Sequence, residues 1–311
     1  MVTPNSYKIG VDGGGTKTEL ILVDAVGEIV VRHLAPGCNP SQIGAEKARA
    51  ILIDALAALL AQSKVENLKS KIAATRLFMA GSPPFWAEVA RSLSDFGQVT
   101  SATDSEPVLE LATGGAAGLV LHAGTGSFVV TRGPDGAVHY TGGLGWKFGD
   151  PGSGFDLGRR ALAQALLDLQ ATPLLSDAKP SALAEALINH TGLRDYPANS
   201  RFFYSDPGAN TQIAAFAPHV LRLAEQNCGP AQQVVADSIT ELARLADDVI
   251  HKYFPAGTTS LPCGVSGRIL NSVPGVFALQ SLAAKLQWPV QLRFITTPPI
   301  EGVRRLLLAA R

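Results

Sequence analysis

The sequence predicts an α/β protein of two halves, because strands and helices alternate along the chain and each half begins with a glycine-tipped hairpin. The first hairpin spans residues 7–24 and the second spans residues 118–131. A chain of 311 residues is long enough for two domains of ordinary size. No low-complexity linker separates the halves, so we expect two domains, 1–118 and 119–311, joined by a hinge and not by a tether.

Local patterns predict the remaining elements in order. Segments whose apolar residues recur at helical spacing predict helices, and short runs rich in β-branched and aromatic residues predict strands. In the first half these are a helix at 44–61, a strand at 74–80, a helix at 85–94, a strand at 98–103 and a helix at 105–112. In the second half we expect strands at 137–141, 260–265 and 290–294, and helices at 157–169, 181–189, 212–226, 231–253, 268–286 and 301–310.

The first hairpin carries three consecutive glycines followed by hydroxyl and ammonium donors. Glycines allow backbone N–H groups to converge on an anion without a Cβ in the way, so the composition predicts a phosphate-binding turn. The turn is not a P-loop, because a threonine stands between the last glycine and the lysine and because a strand follows. It is not a dinucleotide-binding fingerprint either, since that motif needs a further glycine. The alternatives are an ordinary hairpin and a merely solvated lysine. The candidate phosphate ligands are Gly13, Gly14, Gly15, Thr16 and Lys17.

The second hairpin turns through Gly124, Thr125, Gly126 and Ser127. On its own this is a generic glycine turn. Together with the first hairpin it predicts a nucleotide site, because two turns of backbone amides and threonine hydroxyls, one from each half, would hold the phosphates of a nucleotide between them.

Asp104 closes the strand at 98–103 and precedes a helix. An aspartate in that position is either an N-cap that satisfies free helix amides or a carboxylate that accepts a proton from a substrate hydroxyl, and one residue can do both.

Two further glycine-rich segments follow. Residues 142–158 contain seven glycines around Asp150 and Ser153, a density that suits close backbone approach to a polyhydroxylated ligand, with Asp150 as the acceptor for hydroxyls. A flexible surface loop is the alternative. Near the carboxyl end, a strand finishes with Gly264 and Gly267, which either admit an adenosine against the backbone or serve only helix entry.

Composition narrows the function classes. Lys plus Arg equal Asp plus Glu at 26 each, so no overall field attracts nucleic acid or an acidic membrane surface. Neither a signal peptide nor a membrane-length apolar run is present, so we expect a cytoplasmic protein without nucleic-acid or membrane partners. Three scattered cysteines and six unclustered histidines favour structural roles over a disulfide framework, a zinc site or an iron-sulfur cluster.

These motifs together resemble the sugar-kinase branch of the actin-like ATPase superfamily, specifically the BadF/BadG/BcrA/BcrD-type ATPase family, which includes N-acetylglucosamine and glucosamine kinases. The resemblance spans nearly the whole chain. It implies a two-domain actin-like ATPase (ribonuclease H-like) fold with the active site in the interdomain cleft, ATP and Mg²⁺ as cofactors, an amino sugar as substrate and a possible homodimer. It further implies ATP contacts from Thr16 and Thr125, a water-mediated magnesium contact from Asp12, and hexosamine contacts from Asn39, Asp104, Gly145 and Asp150.

The chain departs from the family pattern in two places of the glycine-dense loop. Pro151 stands where the family usually has Glu, and Leu144 where it usually has Trp. Proline removes a carboxylate and an amide donor. We therefore expect phosphoryl transfer from ATP to a hexosamine hydroxyl, giving the 6-phosphate, with the sugar itself left open. The alternatives are an ATP-driven activator of a radical dehydratase or reductase, which the scattered cysteines disfavour, and a non-catalytic sugar sensor on the same scaffold.

Overall fold

A computed structural model describes residues 6–171, 179–205 and 208–309, which fall into two compact units. The first unit runs to Gly115 and takes in the segment from Thr296 onwards, and the second is Ala116–Ile295. The sequence predicts the final helix in the second half, but in the structure this helix belongs to the first unit.

The strands are β1 (Tyr7–Gly13), β2 (Lys17–Val23), β3 (Ile29–Pro36), β4 (Ile72–Met79), β5 (Gln98–Thr103), β6 (Gly118–Ala123), β7 (Ser127–Arg132), β8 (Val138–Gly142), β9 (Leu261–Ser266) and β10 (Val290–Phe294). Helices are α1 (Pro40–Ile43), α2 (Ala45–Gln62), α3 (Pro83–Ser92), α4 (Glu106–Thr113), α5 (Gly154–Ala171), α6 (Ala182–Thr191), α7 (Tyr196–Ser205), α8 (Ala209–Ala215), α9 (Ala217–Glu225), α10 (Gly229–Tyr253), α11 (Val273–Lys285) and α12 (Pro299–Ala309).

Each unit contains one five-stranded sheet, and the two sheets share one plan. The first has the order β3-β2-β1-β4-β5 and the second β8-β7-β6-β9-β10 when read in the same sense. In both, the first three strands form an antiparallel meander and the last two lie parallel to the first strand. The two halves predicted from the repeated hairpins are thus two copies of one topology.

The first sheet is covered on both faces. Alternate residues of β1 and β2, such as Ile9 and Leu20, are fully buried in a core shared with Leu52 and Leu56 of α2. The opposite face packs against α12, where Ile21 joins Val303 in a smaller core. Because strand side chains alternate between faces, one hairpin supplies both cores.

The second sheet buries one face under a larger helical layer. Leu119, Leu121 and Val129 lie in a core built with α5, α9 and α10. Across the described ranges, no helix is both long and apolar enough to cross a bilayer.

We expect Gly10→Ala to destabilise the first unit by about 1–3 kcal/mol, because a Cβ on this residue of β1 would meet side-chain carbons of Val303 and Leu307 in α12. Gly229→Ala is the matched control, since its Cβ would meet nothing within 4 Å and its φ is not positive. Urea unfolding midpoints should fall for the first variant only; equal midpoints would contradict the packing of α12 on β1.

Candidate active site

The carboxyl ends of three parallel strands meet at one edge of the first sheet. Gly13 of β1 is in register with Met79 of β4, and Met79 with Thr103 of β5. Ligand sites of such sheets lie outside the carboxyl ends of the strands. The glycine turn, the segment after β4 and Asp104 therefore all emerge at this edge.

The first glycine turn rests on backbone from the segment after β3. The Gly14 amide donates to the Lys17 carbonyl at 2.9 Å, and the Cys38 amide donates to the Gly14 carbonyl at 3.1 Å. A Cβ on Gly37 would collide with the backbone of Gly15. This close approach holds the turn from one side, while Gly15 stays exposed to a ligand.

Neighbouring residues complete the turn. Gly13 is buried against Met79, where a Cβ would lie 2.7 Å from the Sδ atom. Thr16 is exposed at the tip, as is Lys17. Lys17 Nζ forms an ion pair at 2.9 Å with the buried carboxylate of Glu19, so the lysine is not merely solvated.

Asp12 and Asp104 lie close enough at this edge to interact electrostatically. Burial, followed by the charge of Asp104, raises the pKa of Asp12 to about 7, and Lys17 opposes that shift. Burial also raises the pKa of Asp104 to about 6, against a backbone amide that lowers it. Two carboxylates with raised pKa values at a strand edge are typical of a functional site.

The capping explanation for Asp104 is wrong. The N-cap residue of α4 is Ser105, and its side chain makes no capping hydrogen bond. Ser105 is instead buried, with its hydroxyl 2.8 Å from the Thr103 hydroxyl. The Asp104 carboxylate is therefore not committed to the helix amides.

Asn39 reaches the same edge from the start of α1. Its Oδ1 atom accepts from the Ser41 amide at 3.0 Å as the N-cap of that helix. Gly81, which follows Ala80, has a φ of +95° and packs against the Asn39 side chain, because a Cβ on Gly81 would lie 2.6 Å from Asn39 Oδ1. This contact positions Asn39 beside the end of β4.

In the second unit, the second glycine turn is joined to the start of α5. The Gly124 amide donates to the Gly126 carbonyl at 2.9 Å, and the Gly154 amide donates to the Gly124 carbonyl at 2.8 Å. Thr125 is exposed at the tip. A Cβ on Gly126 would lie 3.0 Å from Asp150 Oδ2, so this carboxylate lies close against the turn.

Asp150 organises the glycine-dense loop around itself. Its Oδ1 accepts from the Gly145 amide at 3.1 Å, and its carbonyl accepts from the Ser153 amide at 3.1 Å. The Ser127 hydroxyl donates to the Pro151 carbonyl at 2.7 Å, which ties the loop to β7. Burial raises the pKa of Asp150, against the Gly145 amide. The loop therefore folds around a nearly buried carboxylate and is bonded to β7.

Sequence reasoning missed the charged group that supports this loop, Asp156. Burial alone would raise its pKa, but bonds from Ser238, Arg159 and Arg160 hold it below the usual value. The Ser238 hydroxyl also accepts from the Gly152 amide at 3.1 Å, so the loop is fixed to α10. Ser238 lies 82 residues further along the chain, and no local pattern signals that contact.

The two carboxyl-terminal glycines have different positions. Gly264 lies inside β9, paired with Val120 on one side and Arg293 on the other. Gly267 follows the strand with a φ of +89°, and a Cβ there would collide with the backbone of Ala123. Gly267 thus belongs to the edge where the second glycine turn emerges, and Gly264 to the strand behind it.

The cysteines are poorly placed to bind a cluster. Cys38 and Cys263 are fully buried, and burial raises the pKa of both thiols, that of Cys263 to about 12. Cys228 is half-buried at the start of α10. Within residues 6–171, 179–205 and 208–309, no group of three or more His, Cys, Asp or Glu residues is arranged to hold a metal ion.

Two units with one strand order, each with a glycine turn after its first strand, define a protein of the actin-like ATPase fold. This is the fold expected from the sequence. A family model matches residues 9–269, and the chain belongs to the BadF/BadG/BcrA/BcrD ATPase family.

Individual relatives are similar in part or throughout. The chain is 27% identical over 163 residues to the N-acetylmuramic acid/N-acetylglucosamine kinase of Clostridium acetobutylicum, and 28% identical over 172 residues to the N-acetyl-D-glucosamine kinase of Dictyostelium discoideum. Each match covers 51% of this chain and 53% of the relative, so the chain spans about half the length of the curated relatives it matches. The structure of a candidate N-acetylglucosamine kinase from Chromobacterium violaceum superposes with a TM-score of 0.75 at 25% identity, covering 98% of this chain and 100% of that one.

We expect Asp12→Asn to remove part of the pH dependence of stability in the ligand-free protein. The pKa of Asp12 rises from 3.8 to about 7 on folding, so the folded state retains a proton that the unfolded state releases, and this residue's contribution to the free energy of unfolding falls as the pH rises from 4 to 7. The variant should be more stable than wild type at pH 8 by roughly 1–3 kcal/mol, with little difference at pH 4. Urea unfolding at pH 4 and pH 8 measures the free energy of unfolding of both proteins, and Asp54→Asn, exposed on α2, is the control. An equal gain in stability at both pH values would contradict the raised pKa of Asp12.

Proposed function

We propose that this protein is an ATP-dependent carbohydrate kinase that phosphorylates an amino sugar, N-acetylglucosamine or glucosamine, at the 6-hydroxyl. The observation that carries the proposal is the placement of Asp104. Its carboxylate has a raised pKa of about 6, lies near Asp12 and emerges at the same sheet edge as the glycine turn. A base and a phosphate-binding turn at one edge are the parts that phosphoryl transfer to a hydroxyl requires.

Asp104 is the general base in this proposal. A catalytic base works best when its pKa lies near the operating pH, because it is then mostly ionised yet still basic enough to accept a proton. Burial supplies that shift here. The carboxylate takes the proton of the sugar hydroxyl while the hydroxyl oxygen bonds to the γ-phosphorus and ADP leaves.

The residues at this edge fit a magnesium ion. Mg²⁺ keeps several waters and binds through one or two carboxylates plus substrate phosphates, so it needs no cage made only of protein. Asp12 would hold it through water, and when bound it would neutralise charge on the phosphates. The raised pKa of Asp12 fits this role, because a nearby cation stabilises the carboxylate that burial disfavours.

The glycine turns supply the phosphate contacts. Gly14, Gly15 and Thr16 offer backbone amides and a hydroxyl at the first turn, and Gly124 to Gly126 offer the same groups at the second. Lys17 adds a positive charge at the rim, oriented by Glu19. Gly267, directly after β9, would lie against the adenosine, with Gly264 in the strand behind it.

The sugar contacts come from one amide and one carboxylate. Asn39 presents its side-chain amide at the first edge, and Asp150, with the Gly145 backbone, presents acceptors in the second unit. The names of the relatives, kinases of N-acetylglucosamine and N-acetylmuramic acid, support an amino sugar as acceptor. The buried cysteines disfavour the dehydratase-activator alternative.

Asp104→Asn should retain ATP and sugar binding and lower kcat by about 10²–10⁴, the usual contribution of a general base. A coupled assay of ADP release, with sugar and ATP affinities from calorimetry, measures both. Asp54→Asn, exposed on α2, is the matched control and should leave kcat unchanged. An Asp104→Asn enzyme that turns over at the wild-type rate would reject the base role.

Asp150→Asn should raise the KM for the sugar by about 10–100-fold with little change in the KM for ATP, because a charge-assisted hydrogen bond is worth about 1.5–3 kcal/mol. The assay uses glucosamine, N-acetylglucosamine, N-acetylmannosamine and glucose, with the phosphorylated position read by NMR. Sugar binding without ADP release from any of the four would contradict a kinase and indicate a sensor.

A further inference from the structure

His122 occupies the position in the second unit that Asp12 occupies in the first. Each is the penultimate residue of the first strand of its sheet, directly before a glycine turn. Their flanking residues Val11 and Leu121 are fully buried in the helical cores, so both Asp12 and His122 project from the opposite faces of their sheets. The repeated topology thus presents a second polar side chain beside a glycine turn.

The ring of His122 is fixed by two contacts. It stacks on Phe128, its cross-strand partner, with centroids 4.8 Å apart, and Phe128 stacks in turn on Tyr140 at 5.0 Å. Its Nδ1 atom lies 2.9 Å from the hydroxyl of Ser266, the last residue of β9. These contacts set both the plane of the ring and its rotation.

The other nitrogen, Nε2, is directed at the glycine turn. A Cβ on Gly124 would lie 3.1 Å from Nε2, so this nitrogen lies close against the glycine turn. Among the described residues, Nε2 has no hydrogen-bond partner, although Nδ1 has one. Burial lowers the pKa of His122 to about 4, so the imidazole is neutral at physiological pH.

We propose that His122 binds the nucleotide directly: its Nε2–H donates a hydrogen bond to a phosphate oxygen, while the Ser266 hydroxyl donates to Nδ1 and so keeps the proton on Nε2. The inference rests on the proposed ATP-dependent function and adds a phosphate contact that the glycine turn alone does not provide. The bond between Nδ1 and the Ser266 hydroxyl joins the ends of β6 and β9. A neutral donor recognises the phosphate and adds no charge to the site.

The test compares two amide replacements that mimic different ring nitrogens. The amide of His122→Asn overlays Nδ1 and retains the Ser266 contact, whereas that of His122→Gln extends to the position of Nε2. We expect the Asn variant to raise the Kd for ATP and ADP about tenfold, and the Gln variant to recover most of that loss. The Kd for adenosine, which lacks phosphates, should be unchanged in both, and Ser266→Ala should weaken ATP binding by an intermediate factor. Isothermal titration calorimetry supplies the Kd values, and circular dichroism melting checks folding.

The outcomes separate this inference from the proposed function. Wild-type protein that fails to bind ATP overturns both. Wild-type protein that binds ATP, with an Asn variant that binds it equally well, overturns the role of His122 alone. An Asn variant that loses ATP and adenosine equally also overturns it, because the residue would then only support the fold. If the Asn variant does not fold, a Gln variant that retains wild-type ATP affinity supports the contact, and one that loses adenosine together with ATP overturns it.

Discussion

Two carboxylates held close together at a desolvated sheet edge are the constraint on which the rest of the first unit depends. Burial disfavours the charge on Asp12 and on Asp104, and the charge on Asp104 makes that of Asp12 less favourable still. Lys17 lowers the pKa of Asp12 in opposition, while Glu19, its ion-pair partner, raises it further. An uncompensated arrangement of this kind costs stability, and raised carboxylate pKa values of this kind are characteristic of functional sites. The close contacts of Gly13 with the Met79 side chain and of Gly37 with the Gly15 backbone keep the first glycine turn beside these carboxylates.

In the second unit, two neighbouring carboxylates differ in how many hydrogen-bond donors they have. Asp156 is fully satisfied by a serine hydroxyl and two arginines, and the loop is fixed to α10 through it. Asp150 accepts from one backbone amide and lies beside Gly126 with its other oxygen. A buried carboxylate with that few donors has acceptor capacity left for a ligand. The carboxylate that supports the loop and the carboxylate that has acceptor capacity left are thus separate residues of one glycine-dense segment.

Much of the fold could be predicted because local patterns determine it. The strands at 98–103, 118–123 and 290–294 lie where their composition places them. The helix expected at 212–226 is instead two helices, since Pro218 lacks an amide donor and the chain restarts as α9 at Ala217. The helix expected from 268 begins at Val273, where Ser272 caps it by accepting from the Gly275 amide. Apolar spacing alone does not show where a helix begins; the proline at the start of α9 and the serine N-cap of α11 do. In contrast, β3 was missed altogether; its exposure alternates along its length, and it exists because β2 offers a pairing edge.

The site was predictable in its residue types and less so in its energetics. Glycine turns after strands are visible in the sequence, and parallel strands bring their carboxyl ends together by geometry. The capping role of Asp104 could not be decided from spacing, since the helix begins with Ser105 as its N-cap instead. The contact between Ser238 and Asp156, and that between His122 and Ser266, join residues more than 80 positions apart. Such contacts depend on how the chain folds back, so no local pattern reveals them.

Pro151 shows how a departure from the family pattern is accommodated. Proline has no amide to donate, but the loop uses residue 151 only as an acceptor, through its carbonyl and the Ser127 hydroxyl. The amides that shape the loop come from the next two residues, Gly152 to Ser238 and Ser153 to the Asp150 carbonyl. The backbone path therefore does not require the glutamate that the family usually has there. What is lost relative to the family pattern is one carboxylate, so the acidic group that remains beside residue 151 is Asp150. Asp150 is in turn held by the Gly145 amide, so backbone groups position the carboxylate that this part of the loop retains.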